Sequence, residues 1–486
     1  MALRSRVFAR GRAAAALIVT LVASAPAGAQ GTGAGGLVPG QRCIIDFLGS
    51  QGGRTTRTTF RKLPSGKYDV FIGGGFVGNC RGQDVTLQSD SAEYYGDMGL
   101  MYLIDNVHYA EPRARVDAEH MTYWMNEEHL RAERNVVAVS RSGSTMRGPV
   151  VDYYRAVAGV RDVASLVATG HPRLAIVEID SVTGRPTDTV HVVADHITSV
   201  GDSLVYAGGD VRVTRPELLA TGDSAFMDQT SGLARLMRKP TVEARRTRPF
   251  TLSGGVIDVF SRNRVVDRVV ATPDGHATSQ DVQLFADSID LRVRANELER
   301  AMAWGRGRAR AVSPEREVTA DSIDARLPGQ RLREMVAVGR AYASSVPDSS
   351  VGRTRERDWM RGDTIVAQFD SLSPGDTAST PPIRTLVATT AARAFYHLRS
   401  SDTTDRRPAV NYVRGRVIDI AFADRAVRSV VVTDSASGVY VEPSDTAAPA
   451  PPAAPGAGPR TPGAPSRPAR PLPPPPAPAR HAEEVR

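Results

Sequence analysis

The chain contains few of the residues on which catalytic, redox and metal sites depend. Its 486 residues include two cysteines and nine histidines, and none are spaced C-x-x-C or H-x-x-x-H as in common metal sites. The G-x-S-x-G, Walker and H-E-x-x-H motifs are also absent. Residues 73–78 fit G-x-G-x-x-G formally, but no helix is expected to begin after them, as a dinucleotide site requires. The sequence therefore predicts no enzyme, cofactor or metal site.

Long apolar runs are scarce as well. After the N-terminus, no apolar stretch approaches the roughly 20 residues that a membrane-spanning helix needs. The first 29 residues differ, because arginines at positions 4, 6, 10 and 12 precede an apolar run over 13–24 and small residues at 27–29. This order is typical of a cleaved signal peptide. We therefore expect residues 1–29 to be removed and an unanchored chain starting at Gln30 to be exported.

Export bears on the two cysteines. Cys43 and Cys80 are an even pair, and an oxidising compartment favours a disulfide between them. On the chain-entropy account, closing this loop would contribute roughly 4 kcal/mol to stability. The alternative is a pair of buried free thiols.

Positive charge is in excess and is carried mainly by arginine. The net charge is +8, and the planar guanidinium suits contact with phosphates and carboxylates. The bias of a GC-rich genome toward arginine codons is the alternative, and the alanine and proline content supports it. No helix-turn-helix, zinc-finger or aromatic RNA-binding signature is present, so nucleic acid is not an expected partner.

What the sequence does contain is a repeated four-residue unit, here called the acid motif. It consists of a small residue, an acid, a Ser, Thr or His, and an apolar residue, as in Ala118-Glu119-His120-Met121. The acids of its copies are Asp90, Glu119, Asp195, Asp223, Asp287, Asp321 and Asp363. Such repetition is typical of one supersecondary unit stacked many times. Each acid is expected to cap a turn through local hydrogen bonds, since the acids lie too far apart for a calcium-binding roll.

The segments between these motifs have the composition of strands. β-Branched runs such as residues 136–139, 417–420 and 430–432 are separated by Gly, Asn, Asp and Pro. Within the acid motif, the small and the apolar residue are three apart, which does not fit the two-residue alternation of a strand. A bulge or corner at each copy would reconcile the two patterns. The sequence thus predicts an all-β fold of repeated short strands.

Composition also suggests a division into segments. Arginines crowd between residues 238 and 249, where the acid motif lapses, so the β region is divided into residues 30–245 and 246–443. Residues 444–486 are dominated by Pro and Ala, a composition that cannot bury a core. We expect this last segment to be a disordered tail.

Several of these residues, taken in order, resemble one protein family. The chain from Val85 to about residue 160 resembles the OstA-like (LptA-like) family of lipopolysaccharide-transport proteins. The matching segments are residues 90–94, 106–109, 118–121, 130–132 and 135–136. Later acid motifs extend the likeness more loosely to about residue 370, and residues 411–442 are similar to the end of longer members. The chain is longer than a minimal bridge protein of that family and has no room for a membrane domain.

The resemblance implies an elongated, twisted β-jellyroll (a β-taco) whose apolar groove holds the acyl chains of a glycolipid. The implied function is binding lipopolysaccharide, or a related anionic glycolipid, and carrying it through the periplasm toward the outer membrane, either free or associated with that membrane. Implied partners are other Lpt-type β-jellyroll proteins, joined by addition of edge strands. Strand alternation then selects the groove residues: Tyr102, Ile104, Val107, Tyr109, Met121, Tyr123, Val136 and Ala138.

Alternatives remain open at this point. The same eight residues would also suit an ordinary closed core, and a structural or adhesive β-solenoid of the cell envelope would need no lipid. A polysaccharide-active β-helix enzyme would instead need carboxylates clustered on one face. An open apolar groove favours transport, and a closed, packed interior favours the solenoid.

Overall fold

The computed structural model describes residues 41–49, 56–179, 185–245, 249–262, 265–295, 297–352, 354–371, 381–401, 407–423 and 426–443. The predicted signal peptide, 1–29, and the predicted tail, 444–486, lie outside the described residues. Within the described part, the only helical segments are two short 3-10 turns, Pro328–Gln330 and Ser349–Val351. The all-β prediction is confirmed.

The strands follow one another along the whole described chain. They are β1 Ile45–Gly49, β2 Arg57–Lys62, β3 Tyr68–Cys80, β4 Thr86–Tyr95, β5 Leu100–Ala110, β6 Ala114–Trp124, β7 His129–Ser140, β8 Thr145–Tyr154, β9 Ser165–Thr169, β10 Arg173–Ile179, β11 Pro186–Val193, β12 His196–Val200, β13 Leu204–Arg215, β14 Leu218–Asp228, β15 Leu233–Met237, β16 Thr241–Ala244, β17 Phe250–Ser253, β18 Val256–Arg262, β19 Val265–Thr272, β20 Gly275–Ser279, β21 Val282–Ala286, β22 Ser288–Arg294, β23 Glu297–Val312, β24 Arg316–Arg326, β25 Glu334–Ser345, β26 Asp358–Phe369, β27 Ile383–Leu398, β28 Ala409–Ala423, β29 Ala426–Thr433 and β30 Ser437–Val441.

These strands form one antiparallel ladder. Each rung is either one long strand, such as β5, or two short strands end to end, such as β9 and β10, which both pair with β8. Each rung pairs with the rungs before and after it along the chain. The described connections are therefore those of a meander, and they differ from the crossing order of a Greek-key jellyroll.

A corner lies in the middle of each rung. In alternate rungs it consists of two successive residues with positive φ, for example Asp105 and Asn106, with φ of 58° and 49°. The register jumps there, since Ile104 pairs with His120 and Val107 with Ala118. Asp105 and Asn106 thus lie opposite a single residue of the next strand, Glu119, which is the geometry of a β-bulge. The corner predicted from the acid motif is confirmed.

The acids of the motif lie opposite these bulges, and five of the seven bond to a residue there. Asp90 accepts a hydrogen bond from Asn106 Nδ2 at 2.7 Å, and Asp321 accepts one from Arg340 Nη2 at 2.7 Å. In these copies, therefore, the carboxylate bonds to a side chain of the next rung, whereas local turn capping was expected. The acid motif marks the corner because a short acceptor there ties one bulge to its neighbour.

The corners divide each rung between two walls, defined by their strand segments. Wall 1 contains residues 57–62, 68–73, 91–95, 100–104, 120–124, 129–133, 150–154, 165–169, 196–200, 204–208, 224–228, 233–237, 256–262, 265–272, 288–294, 297–304, 322–326, 334–338, 364–369, 383–389, 417–423 and 426–433. Wall 2 contains residues 45–49, 76–80, 86–89, 107–110, 114–118, 136–140, 145–148, 173–179, 186–193, 211–215, 218–222, 241–244, 250–253, 275–279, 282–286, 309–312, 316–320, 341–345, 358–362, 392–398, 409–415 and 437–441.

The core lies between the walls and forms two apolar clusters. The first runs from Cys43 to Val211 and the second from Ala220 to Ile420, and Val213 packs against both. The ladder continues across the predicted division at residues 245 and 246, because β16 before it pairs with β17 after it. The molecule is thus one continuous two-walled ladder.

Candidate functional site

The space between the walls contains a series of cavities, numbered here in chain order. Cavity I has a volume of about 350 Å³, cavity II about 760 Å³, cavity III about 230 Å³ and cavity IV about 140 Å³. Cavity II is far larger than the space that a single buried water occupies, and it falls within the usual range of ligand pockets.

Neighbouring cavities share lining residues. Ile176 and Val205 line both cavities I and II, and Leu218 and Val266 line both II and III. Met335 is among the residues common to III and IV. The cavities therefore adjoin one another along the interior. Together they are called the groove, with lining that extends from Arg113 to Val427.

The groove is lined by inward side chains of both walls, and most of them are aliphatic. In cavity II, wall 2 contributes Val190 and Val213, and wall 1 contributes Ala207, Met227 and others. The polar lining groups concentrate at the free ends of the strands, for example residues 228–232 in the turn between β14 and β15. An apolar interior with a polar mouth suits an amphiphilic ligand better than a polar one.

Most of the predicted groove residues face the interior, but in a part of the molecule that is packed. Val107, Tyr109, Met121, Tyr123 and Val136 are at most 1% exposed. Ala138 is also buried, and it is the one predicted residue that lines a described cavity, cavity I. Apart from Arg113 and Ala114, the remaining groove residues lie further along the chain, where the sequence predicted none.

Tyr102 and Ile104 lie on the outer side of β5. Tyr102 is 37% exposed, whereas its neighbours Met101 and Leu103 are buried. The prediction placed Tyr102 and Ile104 on the same face as Val107, which requires the inward positions to change parity across the corner of this strand. Since two residues, Asp105 and Asn106, lie between the paired positions Ile104 and Val107 of β5, the inward positions keep the same parity: Leu103 and Val107 both point inward. In strands that contain the acid motif, such as β6, the inward positions do change parity across the corner.

Three buried charged residues close the packed end of the interior, and we call them the latch. Glu111 directly follows the wall 2 segment of β5. Glu128 directly precedes the wall 1 segment of β7, and Arg155 directly follows that of β8. Arg155 donates to Glu111 Oε2 at 3.1 Å and to Glu128 Oε2 at 2.7 Å. Their side chains are 3%, 8% and 0% exposed for Arg155, Glu111 and Glu128. The latch therefore joins the free ends of the two walls.

Tyrosine hydroxyls complete the hydrogen bonding of the latch. Tyr123 donates to Glu128 at 2.5 Å, while Tyr109, at 2.8 Å, and Tyr153 both donate to Glu111. Burial, followed by the neighbouring carboxylate, raises the pKa of Tyr109 and of Tyr153 well above the ordinary value. These hydroxyls remain protonated donors, so both carboxylates keep their partners.

A disulfide and a backbone bond extend this closed end. Cys43 and Cys80 are bridged, with their Cα atoms 4.9 Å apart. The backbone N–H of Cys43 donates to Glu128 Oε1 at 2.7 Å. The cysteine pair selected from the sequence thus ties the N-terminal segment to the latch. Nothing in the local sequence indicated the latch, whose ionic partners are 27 and 44 residues from Arg155.

A second charged pair lies where the groove is widest. Glu178 at the end of β10 and Arg215 at the end of β13 form an ion pair, and their side chains are 12% and 14% exposed. Both residues line cavity II. Since both lie on wall 2, this pair does not bridge the walls, and the groove remains open beside it.

No metal site, membrane-spanning helix or sequence relative assigns a function to this groove. In the described ranges, no group of His, Cys, Asp and Glu side chains is arranged to hold a metal ion. No helix among the described residues is long and apolar enough to cross a membrane. No protein-family model matches the sequence, and a search of curated proteins found no match.

Proposed function

We propose that the protein binds lipopolysaccharide, or a related anionic glycolipid, and carries it through the periplasm without chemical change. The observation that supports this most directly is the groove, a series of adjoining apolar cavities between two walls. The proposed family is that of the OstA-like lipopolysaccharide-transport proteins, whose resemblance lies in the motif order along residues 85–160. In this role the protein is a carrier and not an enzyme.

The free-energy cost of exposing acyl chains to water explains why a carrier needs an apolar groove. Each methylene removed from water contributes about 0.8 kcal/mol, so a chain of about ten methylenes costs roughly 8 kcal/mol to expose. A lipid can cross an aqueous compartment only if this surface stays covered. Aliphatic lining on both walls, with polar groups at the mouth, provides such cover without requiring any covalent step.

The ends of the ladder suit assembly with similar proteins. Strands β29 and β30 pair only with β28, so their outer edges are unpaired in the described part of the chain. Val439, Tyr440 and Val441 in β30 are each more than half exposed. An unpaired edge with apolar side chains is suited to strand addition. In our proposal, the groove is continued by another β-jellyroll protein docked on such an edge.

Photo-crosslinking in cells tests the transport proposal. A crosslinker at Met227, in the widest cavity, should capture lipopolysaccharide. The same group at Tyr206, whose side chain is 43% exposed on the outer face of the neighbouring strand, is the matched control and should capture none. Absence of lipid adducts at every cavity position, with unchanged surface lipopolysaccharide after depletion of the protein, would rule out transport.

The packed end favours a second candidate for at least part of the molecule. Between Phe76 and Leu130 the interior contains large, fully buried side chains, as expected for a structural β-solenoid of the envelope. If the whole protein had this role, it would bind no lipid, and its depletion would alter cell-envelope integrity without changing lipid delivery.

A further inference from the structure

On two strands of wall 2, the row of inward-facing apolar side chains ends in a charged residue. Along β10 the inward residues are Leu174, Ile176 and Glu178, and along β13 they include Val213 and then Arg215. Every one of these five residues lines cavity II except Leu174, which lines cavity I. The ion pair of Glu178 and Arg215 therefore lies at the boundary between apolar lining and the mouth.

Arg215 also belongs to a polar pocket beside the groove, which we call the rim pocket. The rim pocket has a volume of about 550 Å³ and includes Asp188, His191, Arg215 and Arg245. Arg215 lines cavity III as well. Arg215 thus lines two apolar cavities and a polar pocket in which Arg245 and His191 accompany a single acid, Asp188.

This arrangement matches the two parts of an amphiphile. With acyl chains in cavities II and III, a headgroup would lie next to Arg215 and the rim pocket. A guanidinium presents a planar fork that binds phosphate or carboxylate through two parallel hydrogen bonds. In this structure, the carboxylate of Glu178 accepts a hydrogen bond from Arg215 Nη2. It satisfies a charge that would otherwise be costly to keep mostly buried.

We propose that Arg215 is the residue that selects anionic headgroups, and that Glu178 is an internal competitor which the headgroup displaces. This inference rests on the proposed lipid-binding function and names the residues of the same groove that read the charge of the ligand. The latch has no such freedom, because Arg155 bonds to two carboxylates at once and is 3% exposed.

The test compares two lipids with identical acyl chains, one carrying phosphate groups and one from which they have been removed. Equilibrium binding of each to the full-length mature protein is measured by displacement of a fluorescent acyl probe. We expect the wild type to prefer the phosphorylated lipid by about tenfold, as one charge-assisted contact allows. Glu178→Gln should increase this preference by removing the competitor, and Arg215→Gln should abolish it while binding of the neutral lipid persists.

Two variants keep the result interpretable. Arg212→Gln makes the same charge change on the outer face of β13 and should leave the preference intact. Glu178→Gln/Arg215→Gln removes both partners, so a mostly buried carboxylate is not left alone if Arg215→Gln fails to fold, and this double variant should also show no preference.

The outcomes separate the two proposals. If the wild type binds neither lipid, the proposed function fails, and this inference fails with it. If both lipids bind but Arg215→Gln or the double variant retains the wild-type preference, only the assignment of Arg215 is overturned. If inorganic phosphate alone competes as well as the phosphorylated lipid does, the ligand of Arg215 is free phosphate, and the headgroup assignment is wrong.

Discussion

The interior of this molecule is filled over residues 76–136, where only Arg113 and Ala114 line a described cavity, and contains cavities further along the chain, although the same two-walled ladder forms both regions. The first region buries Phe76, Tyr109 and Tyr123 almost completely, and every fully buried aromatic side chain among the described residues lies there. In the second region, alanine takes many of the same inward positions. The buried alanines of the second cluster are Ala220, Ala271, Ala301, Ala303, Ala309, Ala320, Ala337, Ala341, Ala388, Ala392 and Ala394.

This difference shows that the backbone alone does not make a groove. Bulges, acids and register jumps recur in both regions, so the walls are built by the same rule. The space between them depends on the size of the inward side chains, since a void forms where the residues are too small to meet. The latch then joins the walls in the filled region, whereas the pair of Glu178 and Arg215 leaves the mouth open.

The largest expected effect comes from breaking the latch. Arg155→Met leaves Glu111 and Glu128 buried without their cationic partner, and the free energy of unfolding should fall by about 3–5 kcal/mol. Urea denaturation of the mature protein measures the change. Arg235→Ala breaks an ion pair whose arginine is largely exposed, with Asp258, and should cost at most about 1 kcal/mol. Equal losses in the two variants would mean that the latch does not hold the walls together.

The disulfide, at the same closed end of the interior, should contribute nearly as much to the free energy of unfolding as the latch does. Replacing Cys43 and Cys80 by serine reopens a loop with a sequence separation of 37, and should lower stability by about 3–4 kcal/mol on the chain-entropy account. Because Cys43 also bonds to Glu128, the loss should not simply add to that of Arg155→Met. Non-reducing mass spectrometry that found both thiols free in the purified protein would remove the basis for this prediction.

Sequence periodicity could predict the rungs and their corners but not which rungs are hollow. The three-residue spacing of Ala118 and Met121 required a bulge, and both residues do face inward there. In β5 two residues form the corner and parity is preserved, whereas one residue forms the corner of β6, and no residue type in the sequence indicates which of the two a strand will have. This is why Tyr102 and Ile104 were selected in place of Met101 and Leu103.

The latch and the groove were missed for different reasons. The latch joins residues that are distant in sequence, and only the stacking of rungs brings them together. The groove did leave a signal, since Ala301 of β23 and Ala337 of β25, which line cavities III and IV, each alternate with larger residues on their strands. Which of the small residues point inward, and face each other from the two walls, can be recognised only once the walls are known.

A matched pair of substitutions tests whether side-chain size makes the groove. Ala132 and Ala220 are both nearly inaccessible, at 1% and 2% exposure, but only Ala220 lines a described cavity. Ala132→Leu should overpack the filled region and cost about 1–3 kcal/mol. Ala220→Leu extends into cavity II and should change stability by less than about 1 kcal/mol while reducing lipid capture at Met227. Equal destabilisation by both variants would show that cavity II cannot accept a larger group.

The smallest expected effect concerns the corners, which also differ between the two regions. The corners of β5 and β7 contain Asn106 and Asn135 in the left-handed conformation, which asparagine tolerates well. The corner of β27 instead contains Thr390, with φ of 62°. Because a β-branched residue is strained there, Thr390→Asn should stabilise the protein by about 0.5–1 kcal/mol. Thr389→Asn, one position earlier at a residue without positive φ, is the control and should give no gain. A gain of the same size at both positions would mean that backbone strain at the corner is not its cause.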